Sequence, residues 1–176
     1  AERTSNKSFG IVEGLSIIGT TAETYNSASP DQIENAKLEL NQLISKGITE
    51  QIVFVIGENG LDLAKNMKLK YPIVKVGNWI GPLLVHAAAK NVKRILLIGY
   101  HGKLIKLAGG IFHTHHHLAD ARIEILVFLA FKANISIKLI HQILKSNTIE
   151  DALINLEKED IEITKKLWFL IANTVE

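Results

Sequence analysis

The stretch QIVFVIGENG (51–60) decides the fold. Its first six residues are mostly apolar and β-branched, and Gly57, Glu58, Asn59 and Gly60 bound them as a turn signal. A run that short, closed by glycines, reads as a buried strand over 51–56. The same grammar repeats outward. Upstream, Ile33, Ala36, Leu40, Leu43 and Ile44 share one face of a helix expected over 31–46, and Gly47 is suited to stop it. Earlier still, FGIVEGLSIIG (9–19) reads as a first strand, followed by a polar loop over 20–30. Downstream, a helix is expected through Met67 and a third strand over 71–76, closed by the turn GNWIG (77–81). A helix over 81–91 then leads into a fourth strand over 94–98.

Strands alternating with helices of this length imply βαβ units. The expected fold class is α/β: a Rossmann-like, mainly parallel sheet with helices on both faces. After Gly110 the pattern turns helical, with helices expected over 115–133, 136–145, 148–156 and 160–174. The expected organisation is a sheet domain over 1–112 with a helical C-terminal subdomain over 113–176 packed on it as one unit.

The 176 residues suffice to bury a real core. A net charge of +2 offers no global field for nucleic acid or an anionic membrane. There are no cysteines, hence no disulfide framework and no thiolate metal site. The polar start at Ala1 lacks both Met and the apolar core of a signal peptide, and no apolar run is long enough to span a bilayer. A cytoplasmic protein, part of something longer, is the expectation, and a homo-oligomer stays open.

Chemistry concentrates in GYHGKLIKLAGGIFHTHHHLADAR (99–122), which follows the fourth strand directly and holds five of the seven histidines. In open parallel sheets ligands sit at the carboxyl ends of strands, so the turns at Gly57, Gly77 and Gly99 are expected to converge on one rim. Glu58 is the acid best placed there for ribose hydroxyls, or else a surface turn residue. Thr114 is expected to cap a helix starting at His115, which puts His113 near His117 and His116 near Asp120, one turn apart. Two histidines so spaced can bind a metal, yet the spacing matches no zinc-enzyme motif and no distant third ligand stands out. Hydrogen-bonding roles are the other reading. Lys103 and Lys106 would project from one face of a helix after Gly102, either as a solvated face or toward an anionic ligand. Arg122 offers a fork for a carboxylate, or an internal ion pair with Asp120 or Glu124. His86 and His141 fall inside apolar helical patterns and read as structural. No nucleophile elbow, serine triad, carboxylate pair or acidic magnesium site is present, so any catalysis must rest on positioning. Group transfer from an already activated donor fits that requirement.

The chain resembles the C-terminal part of the cobalt-precorrin-5B C1-methyltransferase family, the CbiD-type enzymes of anaerobic cobalamin biosynthesis. The resemblance runs through GIVEGLSIIGTT (10–21), GENG (57–60) and NWIG (78–81), is strongest over IGYHGKLIKLAGGIFHTH (98–115), and closes with ADARIE (119–124). It implies methylation of ring carbon C1 of a cobalt-containing corrinoid precursor, with S-adenosylmethionine as donor and cobalt only as part of the substrate. No metal held by the protein is implied; the alternatives the residues leave open are a metal-dependent enzyme using the 113–117 histidine cluster and a non-catalytic ligand-binding module. Family members are about twice as long, and the Thr-Thr-Gly-Thr motif of their N-terminal domain is absent here, so that domain is the expected partner. On this reading Gly57, Glu58, Asn59 and Gly99 hold the donor, and His101 and His115 align the reactants. Lys103, Lys106, Thr114, Asp120 and Arg122 hold the carboxylate-rich macrocycle. The family varies at the positions of His116 and His117, which receive no role.

Overall fold

A computed structural model describes residues 30–176. The strand expected over 9–19 and most of the loop after it lie outside the described residues. Helix α1 spans Pro30–Ser45, and Gly47 follows it in the left-handed region, as its sequence suggested. Three strands follow, each leading into a helix: β1 (Ile52–Ile56) into α2 (Gly57–Asn66), β2 (Ile73–Lys75) into α3 (Ile80–Ala89), and β3 (Ile95–Gly99) into α4 (His101–Ala108). All pairings are parallel and the order is β2-β1-β3, so β1 is central. A mixed α/β fold with helices on both faces of a parallel sheet is therefore what forms.

The period of the strand separates the two faces. Ile52, Phe54 and Ile56 point into a cluster with Ala36 and Leu40 of α1 and Ile80, Leu83 and Ala87 of α3. Val53 and Val55 point the other way, with Ile98 and with Ala64 of α2. Because α2 and α3 lie on opposite faces, the chain leaves β1 in one direction and reaches β3 in the other. The carboxyl ends of β1 and β3 thus form the switch point where such sheets open a crevice.

The remaining helices are α5 (Arg122–Lys132), α6 (Ile137–Lys145), α7 (Ile149–Glu159) and α8 (Ile161–Val175). Ser136, Thr148 and Asp160 cap the last three through their side-chain oxygens, which is why the sequence placed those starts well. Their aliphatic cluster includes Leu126, Leu129, Ile140, Ile143, Leu153 and Leu167. Helix α4 belongs to both layers: Ile105 enters this cluster while Leu107 enters the sheet cluster. No described helix is long and apolar enough to cross a membrane.

Two expectations need correction. The segment GENG is no separate turn; Gly57, at φ +75°, bends the chain straight from β1 into the first turn of α2. Nor does a helix start at His115. Residues 112–121 form an irregular loop with one turn at 116–118, and the helix begins at Arg122. Thr114 caps no helix, because none starts there; its hydroxyl instead donates to Asn78.

Candidate functional site

The carboxyl rim of the sheet is organised by Asn78, a residue just past β2 that is 3% exposed. Its Oδ1 accepts from Lys103 Nζ at 3.1 Å and from the Thr114 hydroxyl at 3.0 Å. Its backbone carbonyl accepts from the Thr114 amide at 3.2 Å. One buried side chain thus ties the end of β2 to α4 and to the loop. The Lys103 ammonium reaches over Gly57, where a Cβ would lie 3.9 Å from it. Burial, and the charge of Lys106, push the Lys103 ammonium below the usual lysine range. Glu58 is exposed and ion-paired with Lys75. Asn59 is exposed beside it, and a Cβ on Gly99 would lie 2.9 Å from that of Ile56.

On the other side of α4 the rim is built around β3's end. Tyr100 donates its hydroxyl to Glu150 Oε2 of α7 at 2.8 Å, and partial burial together with that carboxylate pushes the phenol up to about 12. The His101 ring lies between Tyr100 (3.9 Å between centroids) and Trp168 of α8 (5.7 Å), where burial pushes its imidazole down toward the neutral form. Arg122 closes on Asp120 through Nε at 2.7 Å and Nη2 at 2.6 Å. That fork holds the Asp120 carboxyl below the usual range and raises the guanidinium in turn. The internal ion pair is therefore the realised alternative for Arg122, and it leaves Nη1 over Gly102.

The structure brings together Gly57, Lys103 and Thr114, and separately His101, Asp120 and Arg122. It does not bring Lys103 and Lys106 to one face. Lys106 is 2% exposed, and its ammonium turns inward, donating to the carbonyls of Thr114 and Ala119. Without a helix at His115, the expected one-turn pairs of histidines do not arise. The rings of His115, His116 and His117 instead crowd one another, 4.0 to 5.2 Å between centroids. Among the described residues no group of three or more histidine, aspartate or glutamate side chains is arranged to hold a metal ion. His86 bonds Asn41 Oδ1 at 2.9 Å, as a structural histidine should, whereas His141 is exposed.

Composition and spacing gave no hint of Asn78, Tyr100, Glu150 or Trp168. Asn78 stands in a strand-end turn, and both it and Tyr100 fall inside the stretches that carry the family resemblance, which assigned them no role. Three buried polar atoms on this rim have no partner: Nε1 of Trp79, Nε2 of His101 and Nε2 of His113. Such atoms cost about 1–3 kcal/mol each when unsatisfied, so their gathering at a rim fits a polar ligand there.

Residues 113–176 match the family model described as CbiD, C-terminal domain. Over its whole length the chain is 62% identical to a cobalt-precorrin-5B C(1)-methyltransferase of Prochlorococcus marinus subsp. pastoris (strain CCMP1986 / NIES-2087 / MED4), of which it covers 47%. It is 49% identical to a protein of the same name from Prochlorococcus marinus (strain MIT 9313), of which it covers 46%. The chain spans about half the length of these curated relatives. No solved structure matches it.

Proposed function

We propose, from the match of residues 113–176 to the family model described as CbiD, C-terminal domain, that this chain is one part of a cobalt-precorrin-5B C1-methyltransferase. The enzyme transfers a methyl group from S-adenosylmethionine to ring carbon C1 of cobalt-precorrin-5B, giving cobalt-precorrin-6A in cobalamin biosynthesis. The observation that carries this reading is 62% identity maintained over the full chain to a protein so named. A cytoplasmic location and completion of the site by the rest of the longer protein belong to the same reading.

The rim suits this chemistry. S-adenosylmethionine supplies a methyl group already activated on a sulfonium, so alignment matters more than acid or base. Gly57 and the amino end of α2, with Glu58, Asn59 and Gly99 around them, form the cradle for the donor at the β1/β3 switch point. Lys103, held by Asn78 above Gly57, meets a substrate carboxylate, and Thr114 fixes Asn78 for that task. Arg122, oriented by Asp120, presents its remaining edge to a second carboxylate. His101 and His115, both held below the usual histidine range chiefly by burial, line the approach as hydrogen-bond partners.

Titration calorimetry of this chain with S-adenosylmethionine and S-adenosylhomocysteine tests the placement of the donor. Binding of either is expected; absence of heat with both moves the donor cradle to the rest of the enzyme. In the full-length protein, Lys103→Ala and Arg122→Ala are each expected to cost about ten- to a hundred-fold in methyl transfer, the worth of one charged hydrogen bond. Unchanged activity in both variants, with the fold intact by circular dichroism, removes the carboxylate clamp.

A further inference from the structure

We propose that Lys106 is the internal pin of the histidine loop, a positioning residue that meets no ligand. An ammonium taken out of water must give all three of its N–H groups to acceptors. Lys106 gives two of its three to backbone carbonyls at a place that joins two separate points of one loop, with a carboxylate close by for the charge. Nζ donates to the carbonyl of Thr114 at 3.2 Å and to the carbonyl of Ala119 at 2.6 Å, and Asp120 Oδ1 stands 4.0 Å away. Residues 115–118 bulge between these two acceptors, closed on themselves by the Leu118 amide donating to the His115 carbonyl at 3.1 Å. Neither carbonyl belongs to a helix or a strand, so the lysine supplies what regular structure supplies elsewhere.

The loop's flanks are also fastened from outside, and Lys106 ties the two flanks to each other across the bulge. On one side Thr114 is bound to Asn78, and the Phe112 carbonyl accepts from the Gly81 amide at 3.1 Å. On the other, Asp120 is bound to Arg122. The helix that carries Lys106 is anchored: α4 contributes to both hydrophobic clusters, and the Lys106 carbonyl accepts from the Ile111 amide at 2.9 Å. The pin therefore fixes where the rings of His115, His116 and His117 and the exposed Leu118 stand relative to the rim. That His115 then serves a ligand rests on the function proposed above; the pin itself does not.

Amide hydrogen exchange on the ligand-free chain tests it. In Lys106→Met, which keeps the stem and loses the donors, the amides of residues 114–119 are expected to exchange about ten- to a hundred-fold faster, with α5–α8 unchanged. The ring-proton resonances of His115, His116 and His117 should collapse toward free-histidine positions at the same time. Because the chain has no cysteine, Lys106→Cys can be alkylated with bromoethylamine in urea, restoring an ammonium of the same reach, and refolded. Protection and ring shifts are expected to return. If Lys106→Met does not fold, Lys106→Gln serves in its place, with the loop still loosened. Wild-type protection of 114–119 in a folded variant, or no recovery on aminoethylation, overturns the pin. Calorimetry with the methyl donor is a separate experiment, so failure of one reading is not mistaken for failure of the other.

Discussion

The sheet layer and the helical layer bury their apolar surface by different means. In the sheet layer β1 is buried at every residue, and its alternating side chains feed two clusters on opposite faces. Fit there depends on backbone meeting backbone: a Cβ on Gly60 would lie 2.7 Å from the Ile98 carbonyl oxygen. In the helical layer four helices and α4 share one aliphatic cluster, and fit depends on filled volume. Its outer surface even leaves Phe128, Phe131 and Phe169 exposed. The consequence is functional. Strand ends fix the direction of the chain and can carry a converging site, whereas the helical layer lends single side chains to it, Glu150 and Trp168 among them.

The largest effect that can break this contrast is loss of volume in the helical core. Leu126 is fully buried, and Leu126→Ala is expected to cost about 2–5 kcal/mol. Since α4 belongs to both clusters, the loss should be felt across the whole chain. The two tryptophans report it separately, Trp79 packing against the sheet cluster and Trp168 against the helical one. Urea transitions followed in Trp79→Phe and Trp168→Phe backgrounds are expected to coincide, and to shift together when Leu126→Ala is added. Separate midpoints would mean two independent folding units and no coupling through α4.

A smaller effect sharpens the other side of the contrast. Gly60→Ala introduces one methyl group, yet the atom it meets is a strand carbonyl that cannot rotate away. About 1–3 kcal/mol of destabilisation is expected. In α2 the ordinary gain of replacing a helical glycine by alanine, about 0.5–1 kcal/mol, is thereby reversed in sign. A variant as stable as wild type in urea would show that β3 and α2 are less tightly set than the close approach requires.

What could be read in advance followed the same division. The βαβ order, α1 with its stop near Gly47 and the capped starts of α6, α7 and α8 were legible, because period and caps are local properties. The loop at 112–121 was not. Thr114 followed by histidines looks like a helix start, but its hydroxyl goes to Asn78, a residue 36 positions away. Lysines usually mark a solvated face, so a lysine buried to 2% gives no sequence sign of being inside. Lys103 and Lys106 sit three residues apart on one helix, yet one reaches Asn78 and the other the loop's carbonyls. The pairing of residues in each half of the site is decided by such distant partners, which no spacing rule contains.

The smallest effect lies in the joint between the layers and concerns pH. Burial first, and then mutual repulsion among the crowded rings, hold His115 and His116 below the usual histidine range. The folded loop therefore binds fewer protons than the open one in mildly acidic solution. Its closure is fully favourable above the ordinary histidine pKa of about 6.5 and is lost progressively as pH falls from there through the lower folded values. Ring-proton titration by NMR should give His115 and His116 midpoints below about 6.5. Amide exchange in 114–119 should accelerate over the same interval, while α5–α8, whose core holds no histidine, stays protected. Midpoints at or above the ordinary value would mean that the three rings stand apart in solution, and the loop would then lack the closed form that Lys106 is argued to hold.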